Sequence, residues 1–460
     1  MEETQTTMTE GSSPERQRHV HALAIYQAAL EASDPYAAVK QSIQCERTAL
    51  LTPDQAFHFS HFAHIYLIGA GKATAAMAQA IEDLLGGHLH SGLIIVKTGH
   101  GRFLNKTAVR EANHPIPDKR GVTATLEMLD FLRHCSYQDL IICLFSGGGS
   151  ALLVAPAPPV TLEDKQHVTN LLLRAGCTID EINTVRKHLS LVKGGLLARA
   201  AQGATILTLA LSDVIGNRLD VIASGPTVPD YSTYGEALHI LREHQLLDSV
   251  SPNIIKRLED GQQGLLEETP KEADPCFTRT TAITVGSIDL ACQAAEQKAR
   301  ALGYDTRIIS TQQTGDAHDV AAQLCTLAKT RQPQISHPLC LISGGETTVT
   351  VKGSGLGGRN QELALAASLY LDRTNGITCA ALATDGSDGP TDATGAIVDG
   401  TTHKALRIAG IDACEALRHN DAYHALDRIG ALVKTGPTGT NVNDLIIVLI
   451  EPNLRNAHQM

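Results

Sequence analysis

The chain has 460 residues, of which 43% are hydrophobic and 19% charged, which is typical of a globular protein with about two or three domains. Its formal charge of −11 disfavours general nucleic-acid binding, because an acidic surface repels a phosphate backbone. Aromatic residues make up only 3%, so few side chains could stack on bases.

The first segment, residues 1–19, is polar and lacks the apolar stretch of a signal peptide, so it predicts a disordered tail. No apolar run approaches the ~20 residues of a membrane-spanning helix, so no membrane partner is expected. The chain has ten cysteines and no Cys-x-x-Cys pair, which favours reduced thiols over a zinc site or a disulfide framework. Together these features predict a cytoplasmic protein.

One unit recurs along the chain: a short apolar run, then a Gly-rich loop, then a helical stretch. Such strands alternating with helices predict an α/β fold in which a mainly parallel sheet is covered by helices on both faces. The acidic, apolar-poor stretch 259–275 is the predicted linker between an N-terminal domain, 20–270, and a C-terminal domain, 280–460. In chain order the predicted strands are 64–68, 93–97, 140–145, 205–211, 281–285, 339–342, 378–383 and 445–450.

Three Gly-rich loops follow predicted strands, where parallel α/β sheets bind ligands and bare amides favour phosphate. The first, which ends in Lys72, is not a Walker A motif, because Tyr66 and Ala73 stand where Gly and Ser or Thr are required. The second, Ser-Gly-Gly-Gly-Ser, lacks the central serine of a nucleophile elbow. The third repeats Ser-Gly-Gly. The residues predicted to bind phosphate are Gly69, Gly71, Ser146, Gly147, Gly148, Gly149, Ser150, Ser343, Gly344 and Gly345.

Cationic side chains are concentrated at two places. Arg186 and Lys193 share one face of a predicted helix with Ser190, so they form either an anion clamp or a solvated surface. His188, which lies between them, is more often structural than a base. Arg359 opens the helix after a GxGxxG match and suits a phosphate or a carboxylate, because its guanidinium binds bidentately. A dinucleotide-binding fold needs an acidic residue about 20 positions after this motif, and none is found there.

Carboxylates cluster in the loop after the strand 378–383. Asp385, Asp388 and Asp392 lie among glycines and a proline, and their spacing does not fit an EF-hand. Hard oxygen ligands near phosphate sites suit Mg²⁺, although loop aspartates also cap turns.

Taken together, these segments resemble the class II glycerate kinases, the glycerate 2-kinase family. The resemblance covers roughly residues 20–450, with one departure at Asn113, where the family often has Gly. It is carried by GAGKATAAMA from Gly69, HPIPD from His114, SGGGSALL from Ser146, INTVRKHLS from Ile182, SDVIGN from Ser212, ASGPTVPD from Ala223, SGGETTVTVKG from Ser343, GGRNQELALA from Gly357, ATDGSDGPTDATGA from Ala383 and TGPTGTNVNDL from Thr435.

The resemblance implies a larger N-terminal α/β/α domain and a smaller C-terminal α/β domain with a MOFRL module at about 335–450. It places the active site in the cleft between the domains. The implied reaction is ATP-dependent phosphorylation of D-glycerate at its 2-hydroxyl with Mg²⁺. We therefore expect ATP and a small acid as partners, and a monomer or homodimer.

Applied to this chemistry, the candidate residues take four roles. Lys72 and Arg359 would bind the transferring phosphate, and Asp213 would orient or deprotonate the 2-hydroxyl, with Asp385 or His188 as substitutes. Arg186 or Lys193 would bind the glycerate carboxylate or the phosphates. The expected Mg²⁺ ligands are Asp385, Asp388 and Glu346.

Two other functions compete with the kinase. An NAD(P)H-dependent hydroxypyruvate reductase is suggested by the GxGxxG match and by older naming within the family. A metabolite sensor without catalysis would keep the fold but lose the charged residues. The missing ribose-binding acid counts against the reductase, and the presence of Lys72, Arg359 and Asp385 counts against the sensor.

Overall fold

The structure is a computed structural model that describes residues 13–453. Within this range the chain forms two compact units. The large unit is Asp34–Ser287, and the small unit combines residues 13–33 with residues 288–453. This division differs from the predicted one, because the segment 259–275 packs inside the large unit, where Glu268 bonds to buried His188.

The strands of the described chain are β1 (Gln44–Cys45), β2 (Ala49–Leu51), β3 (Ala56–His58), β4 (Ile65–Ala70), β5 (Leu89–Lys97), β6 (Thr107–Ala112), β7 (Leu140–Phe145), β8 (Thr205–Leu211), β9 (Thr280–Gly286), β10 (Asp305–Gln313), β11 (Leu339–Gly345), β12 (Ile377–Ala383), β13 (Gly395–Asp399), β14 (Leu432–Val433) and β15 (Asp444–Ile450). Its α-helices are α1 (Pro14–Ala32), α2 (Pro35–Ser42), α3 (Thr74–Leu85), α4 (Lys119–Leu132), α5 (Gly149–Leu152), α6 (Leu162–Arg174), α7 (Ile179–His188), α8 (Leu196–Ala200), α9 (Tyr234–Glu243), α10 (Pro252–Gln262), α11 (Ile288–Ala301), α12 (Ala317–Arg331), α13 (Arg359–Tyr370), α14 (Thr402–Ile408), α15 (Ala413–Arg418) and α16 (Ala422–Asp427).

The large unit is built on a parallel six-stranded sheet in the order β6-β5-β4-β7-β8-β9. Strands β7 and β8 are buried along their whole length, as their unbroken apolar sequences predict. Helices α4 and α8 pack on one face of the sheet, and α3 contacts β4, β5 and β7. Helices α6, α7, α9 and α10 enclose a separate apolar core. The three-layer prediction is confirmed for this unit.

The small unit has a mixed sheet in the order β10-β11-β15-β12-β13-β14. Only β10 and β11 pair in parallel, so this sheet is mixed, and it belongs to the smaller α/β domain that the resemblance implies. Strand β15 lies between β11 and β12 and runs antiparallel to both. These three central strands are buried throughout, and burial makes an antiparallel strand as uniformly apolar as a parallel one.

Helix α1 belongs to the small unit, so the predicted tail is shorter than expected. The helix begins at Pro14, and the Ser13 hydroxyl accepts a hydrogen bond from the Arg16 amide. Buried Arg18 donates to Thr378 Oγ1 (3.1 Å), and the Tyr26 hydroxyl donates to the Ala383 carbonyl (2.6 Å). The part of the tail prediction that concerns residues 1–12 lies outside the described residues.

All ten cysteines are free thiols, and six of them are buried. Burial raises the pKa of Cys325 and Cys292 to about 12, which keeps these thiols protonated. Among residues 13–453, no helix is both long and apolar enough to cross a bilayer.

Candidate active site

Three polar side chains and one Gly-rich loop follow the carboxyl ends of strands in the sheet of the large unit. Lys72 follows β4, the glycines Gly147 and Gly148 follow β7, and Asp213 follows β8. His114 lies two residues beyond β6. Because the strands are parallel, these ends meet at one edge of the sheet, where α/β proteins bind their ligands.

The geometry around the two glycines shows that these side chains converge. A Cβ atom on Gly147 would lie 2.4 Å from Asp213 Oδ2 and 3.7 Å from Lys72 Cε. A Cβ atom on Gly148 would lie 2.9 Å from His114 Cδ2 and 3.3 Å from Lys72 Cγ, and its φ of +84° also favours glycine. An ammonium group, an imidazole and a carboxylate therefore surround a loop without side chains.

Replacing Gly147 by Ala is expected to displace the Asp213 carboxylate, because a Cβ atom cannot lie 2.4 Å from Oδ2. We expect kcat for the phosphate transfer that the resemblance implies to fall at least tenfold, with little change in the melting temperature. Gly87→Ala is a matched control, since a Cβ atom there meets nothing within 4 Å. Equal activity of the two variants would contradict a catalytic position for Asp213.

His114 was not predicted as a site residue. Burial, reinforced by the positive charges of Lys72, Lys97 and His100, lowers the pKa of its imidazole to about 4. The ring is therefore neutral at pH 7 and can accept or donate a hydrogen bond. The motif His-Pro-Ile-Pro-Asp was visible in the sequence, but a lone histidine in a loop gave no sign that it would lie against Gly148.

The loop before Lys72 does not present open amides, so its predicted phosphate cradle is wrong. Gly69 lies within β4, where a Cβ atom would be 2.4 Å from the Leu144 carbonyl oxygen. The Gly71 amide donates to the Ile95 carbonyl (3.1 Å), and the Lys72 amide donates to the Gly147 carbonyl (2.9 Å). These glycines permit close packing of the backbone rather than ligand contact.

In the loop after β7, some residues form hydrogen bonds within the protein and others leave their backbone amides open to a ligand. The Ser146 hydroxyl accepts from the Ala73 amide (3.1 Å), and the Gly149 amide donates to the Ser146 carbonyl (3.1 Å). Within the described range, the Gly147 and Gly148 amides donate to no backbone carbonyl. Of the five residues predicted here, these two are best placed to bind an anionic oxygen through the backbone.

Ser150 connects this loop to a polar buried region. Its hydroxyl lies 3.0 Å from the Ser224 hydroxyl, which donates to Asn183 Oδ1 (3.1 Å). The Asn183 Nδ2 group is buried and has no hydrogen-bond partner in the described chain. Such an orphaned donor is rare in a folded protein and marks a place where a ligand oxygen can bind.

Three cations lie next to this region, two buried lysines and a half-buried arginine, and we call Lys165, Arg186 and Lys193 the buried cation cluster. Lys193 Nζ donates to the Ala223 carbonyl (3.1 Å), and Lys165 Nζ donates to the Arg186 carbonyl (3.2 Å). Among the described residues, none of the three forms an ion pair with a carboxylate. Burial, with smaller effects of the Arg186 and Arg257 charges, lowers the pKa of Lys165 to about 7. Burial, with smaller effects of the Lys165 and Arg186 charges, lowers the pKa of Lys193 well below its usual value.

His188 has a structural role, which removes it as a substitute base. Its ring is buried and bonded through both nitrogens, to the Thr184 carbonyl (2.7 Å) and to Glu268 Oε1 (2.9 Å). Its neighbour Lys187 pairs with buried Asp230 (3.1 Å).

In the small unit, the second Ser-Gly-Gly copy is not a loop, so the predicted cradle there is wrong. Ser343, Gly344 and Gly345 are the last residues of β11 and pair with β15. A Cβ atom on Gly344 would lie 2.4 Å from Ile288 Cγ1 and 2.6 Å from Cys292 Sγ, so this glycine lets α11 pack on the strand. The strand continues through the motif here, whereas β7 ends before its glycines.

Arg359 lies in a carboxylate network at one edge of the small sheet. It donates to Asp444 through Nε (2.5 Å) and Nη2 (3.2 Å), and to Glu346 Oε1 through Nη1 (2.6 Å). Burial alone would lower the pKa of Arg359, but the hydrogen bonds and charges of these carboxylates raise it above its usual value. Asp444, which was not predicted, is buried at the start of β15, and burial raises its pKa against the effect of Arg359.

The predicted Mg²⁺ ligands do not form one cluster. Buried Asp388 accepts bonds from the amides of Asn360 (3.2 Å) and Gln361 (2.9 Å) and so caps α13, which makes its role structural. Asp385 Oδ1 accepts from the Ser387 amide (3.0 Å). Within residues 13–453, the one group of three or more metal-ligating side chains with ligand atoms mutually within 4.8 Å lies elsewhere, at Cys177, Glu181 and His244.

Comparison with known proteins identifies two family models along the chain. Residues 21–259 match the domain of unknown function DUF4147, and residues 339–444 match the MOFRL family. A glycerate 2-kinase from Pyrococcus horikoshii is 40% identical over 426 residues, which cover 92% of this chain and 95% of the relative. A putative hydroxypyruvate reductase from Agrobacterium vitis is 39% identical, with 84% of this chain and 98% of the relative covered.

A solved structure of a glycerate kinase has the same fold as this chain. The crystal structure of the glycerate kinase from Thermotoga maritima superimposes with a TM-score of 0.86 at 38% identity. The match covers 95% of this chain and all of the crystallised chain.

Proposed function

The chain belongs to the class II glycerate kinases, and from that premise we propose that it transfers the terminal phosphate of ATP to the 2-hydroxyl of D-glycerate, giving 2-phosphoglycerate and ADP. The observation that carries the proposal is the convergence of Lys72, His114 and Asp213 on the Gly147–Gly148 loop. Phosphoryl transfer needs positioned charges and open amides more than covalent chemistry, and this edge of the sheet supplies both.

Lys72 is the proposed partner of the transferring phosphate. ATP and glycerate are both anions, and two unit charges about 4 Å apart interact by about 4 kcal/mol at an effective dielectric constant of ~20. A lysine ammonium group beside the phosphate offsets repulsion of this size. The amides of Gly147 and Gly148 would add donors to the same oxygens without charge.

Asp213 is the proposed residue that orients the glycerate 2-hydroxyl and accepts its proton as the new P–O bond forms. Neutral His114 contacts the same loop and is proposed to hold the hydroxyl or a phosphate oxygen through a hydrogen bond. The structure favours Asp213 over His188 because both nitrogens of His188 are bonded within the large unit.

The buried cation cluster is the proposed site for an anionic group of the substrate, and we assign it to the glycerate carboxylate. Burial without a counter-charge disfavours the protonated forms of these lysines, so an arriving carboxylate would stabilise their charge. The hydrogen-bonded series Ser150, Ser224 and Asn183 leads from the Gly-rich loop to Lys193 and its neighbours. Arg186 and Lys193 are both proposed to bind the glycerate carboxylate.

Mg²⁺ is the proposed metal cofactor, and when bound with ATP it would neutralise part of the phosphate charge. The oxygen donors that fit it are Asp385 and Glu346, since hard carboxylate oxygens suit this ion and it usually takes only one or two protein ligands. Asp388 is excluded because helix α13 uses both of its oxygens. Arg359 remains a proposed phosphate contact, because a third of its side chain is exposed beyond its carboxylate partners.

Binding of glycerate is expected to weaken as the pH rises above 7. The ligand favours protonated Lys165, whose pKa of about 7 means that the free protein loses this charge between about pH 6 and 8. The dissociation constant, measured by calorimetry without ATP, should rise by up to roughly tenfold per pH unit. The same shift makes the ligand-free protein more stable from pH 7 toward 10, because the unfolded chain holds this proton more tightly.

Lys165→Met should flatten the pH dependence of the glycerate dissociation constant. Lys119→Met, which changes an exposed lysine of α4, should retain that pH dependence. A profile that stays the same in Lys165→Met would contradict the assignment of the carboxylate to the cluster.

The name of the Agrobacterium vitis relative favours one second candidate, an NAD(P)H-dependent hydroxypyruvate reductase. The geometry counts against it, because the GxGxxG match does not form a strand-to-helix turn. Gly353 and Gly355 lie in a coil, where Cβ atoms would be 2.2 Å and 2.6 Å from the His419 carbonyl oxygen. Incubation with glycerate and MgATP, and separately with hydroxypyruvate and NADH, tests the two functions. ADP formation in the first alone supports the kinase, and NADH oxidation in the second overturns it.

A further inference from the structure

Three metal-ligating side chains that have no role in the proposed kinase reaction meet on the helical part of the large unit. Cys177, Glu181 and His244 each offer one ligand atom, and these atoms lie within 4.8 Å of one another. His244 Nε2 is 3.1 Å from Glu181 Oε1. This spacing is close to the roughly 3–4 Å between the ligands of a tetrahedral ion with bonds of about 2.0–2.3 Å.

The backbone holds each of the three residues at the end of a helix. Cys177 follows Gly176, whose φ of +75° ends α6, and the Cys177 amide donates to the Leu172 carbonyl (3.1 Å). Glu181 lies in the first turn of α7, and His244 caps the last turn of α9 through its amide. Little backbone entropy would therefore be lost when a ligand joined these three positions.

Thr178 orients the Glu181 carboxylate. The amide and hydroxyl of Thr178 both donate to Glu181 Oε2, at 2.6 Å and 2.9 Å, which directs Oε1 toward His244. Partners of this kind fix a carboxylate ligand in metal sites. Cys177 also packs against the apolar core of α6, α7 and α9, so the thiol side of the group is shielded from water.

We propose that Cys177, Glu181 and His244 form a binding site for a zinc ion or a similar borderline-soft divalent cation. One thiolate, one imidazole and one carboxylate are donors typical of Zn²⁺, and they leave a fourth position for water. The group contains a single carboxylate, so it does not suit Mg²⁺. On binding, the Cys177 thiol releases its proton to solvent and an S–Zn bond forms.

The ion would join the loop between α6 and α7 to the end of α9. Helix α7 also carries Arg186, and Lys165 lies on α6. The proposed ion therefore fastens the helices that carry part of the buried cation cluster. This inference does not depend on the kinase assignment, because it concerns binding and stability alone.

Cobalt substitution of the chelator-treated full-length protein tests the site, in a buffer with a thiol-free reductant. One equivalent of Co²⁺ should give a near-ultraviolet sulfur-to-metal charge-transfer band and tetrahedral visible bands, and Zn²⁺ should abolish both. Zn²⁺ in excess over its dissociation constant should also raise the melting temperature, because it binds the folded chain. Millimolar Mg²⁺ should not compete.

Variants distinguish this site from the other thiols. Cys177→Ser should remove the charge-transfer band, and Glu181→Gln and His244→Ala should each weaken Co²⁺ binding at least tenfold. Cys414→Ser, at an exposed cysteine, and His239→Ala, at an exposed histidine of α9, should leave binding unchanged. A band that persists in Cys177→Ser, or the absence of stoichiometric Co²⁺ and Zn²⁺ binding to the unmodified chain, overturns the proposal.

Discussion

Lys72→Ala is expected to lower kcat for glycerate phosphorylation by roughly 10²–10³-fold, the range found when one charge-stabilising donor is removed from an active site. The Lys72 side chain lies against the Gly147–Gly148 loop, so its loss removes the positive charge proposed to offset the phosphate charge beside Asp213. The fold should survive, because the side chain is half-buried and forms no ion pair within the described chain. Steady-state kinetics and thermal melting on the same preparation measure both effects.

Two further variants sharpen this test. Lys72→Arg keeps the charge but changes its shape, and we expect it to recover part of the lost kcat. Lys119→Ala removes an exposed cation of the same unit and should leave kcat unchanged. If Lys72→Ala retained more than about a tenth of the turnover, the ammonium group would not be the main partner of the phosphate.

Arg359→Ala is expected to lower the melting temperature by roughly 6–20 °C, in addition to any effect on activity. The substitution leaves the buried carboxylate of Asp444 without its bidentate partner, and breaking a buried pair in this way costs about 3–5 kcal/mol. The loss should be smaller at acidic pH, because protonated Asp444 carries no charge that needs a partner.

The double variant Arg359→Ala/Asp444→Asn separates this cause from a loss of packing. Removing both charges should recover much of the stability that Arg359→Ala loses. Arg373→Ala, at an exposed arginine of the same unit, should melt like the unmodified protein. No recovery in the double variant would contradict the view that Asp444 is the group that Arg359 stabilises.

The architecture of the large unit could be predicted from the sequence because burial leaves a clear pattern in it. Strands such as β7 and β8 are apolar throughout. Each is followed by a loop and then by helical stretches before the next strand begins. The direction of β15 was not predictable, since an apolar strand reads the same in either orientation. The place of α1 in the small unit was also hidden, because it depends on contacts such as Arg18 with Thr378, 360 residues apart.

Candidate site residues were found where their chemistry is local and missed where it depends on distant neighbours. The pairing of Lys72 with the loop after β7 follows from the parallel sheet, in which both lie at carboxyl ends of neighbouring strands. Asp444 is the first residue of its strand, and only the antiparallel pairing of β15 with β11 brings it level with Gly345, next to Glu346.

Glycine motifs were the least reliable guide. Ser-Gly-Gly occurs twice, but Gly147 lies beside Asp213 and Lys72, which are proposed to bind ligands, whereas Gly344 lies beneath Ile288 and Cys292. A glycine indicates only that a side chain would not fit at that position. The sequence does not show whether a ligand or another helix occupies the space next to the glycine.

Phosphorus NMR of the product formed from D-glycerate and MgATP tests the central claim most directly. A phosphate on the 2-hydroxyl is coupled to one hydrogen on carbon 2, so the new phosphomonoester resonance should be a doublet that grows as ADP appears. A triplet, which two hydrogens on carbon 3 would cause, would contradict transfer to the 2-hydroxyl. Failure of any new phosphomonoester to form would contradict the kinase assignment itself.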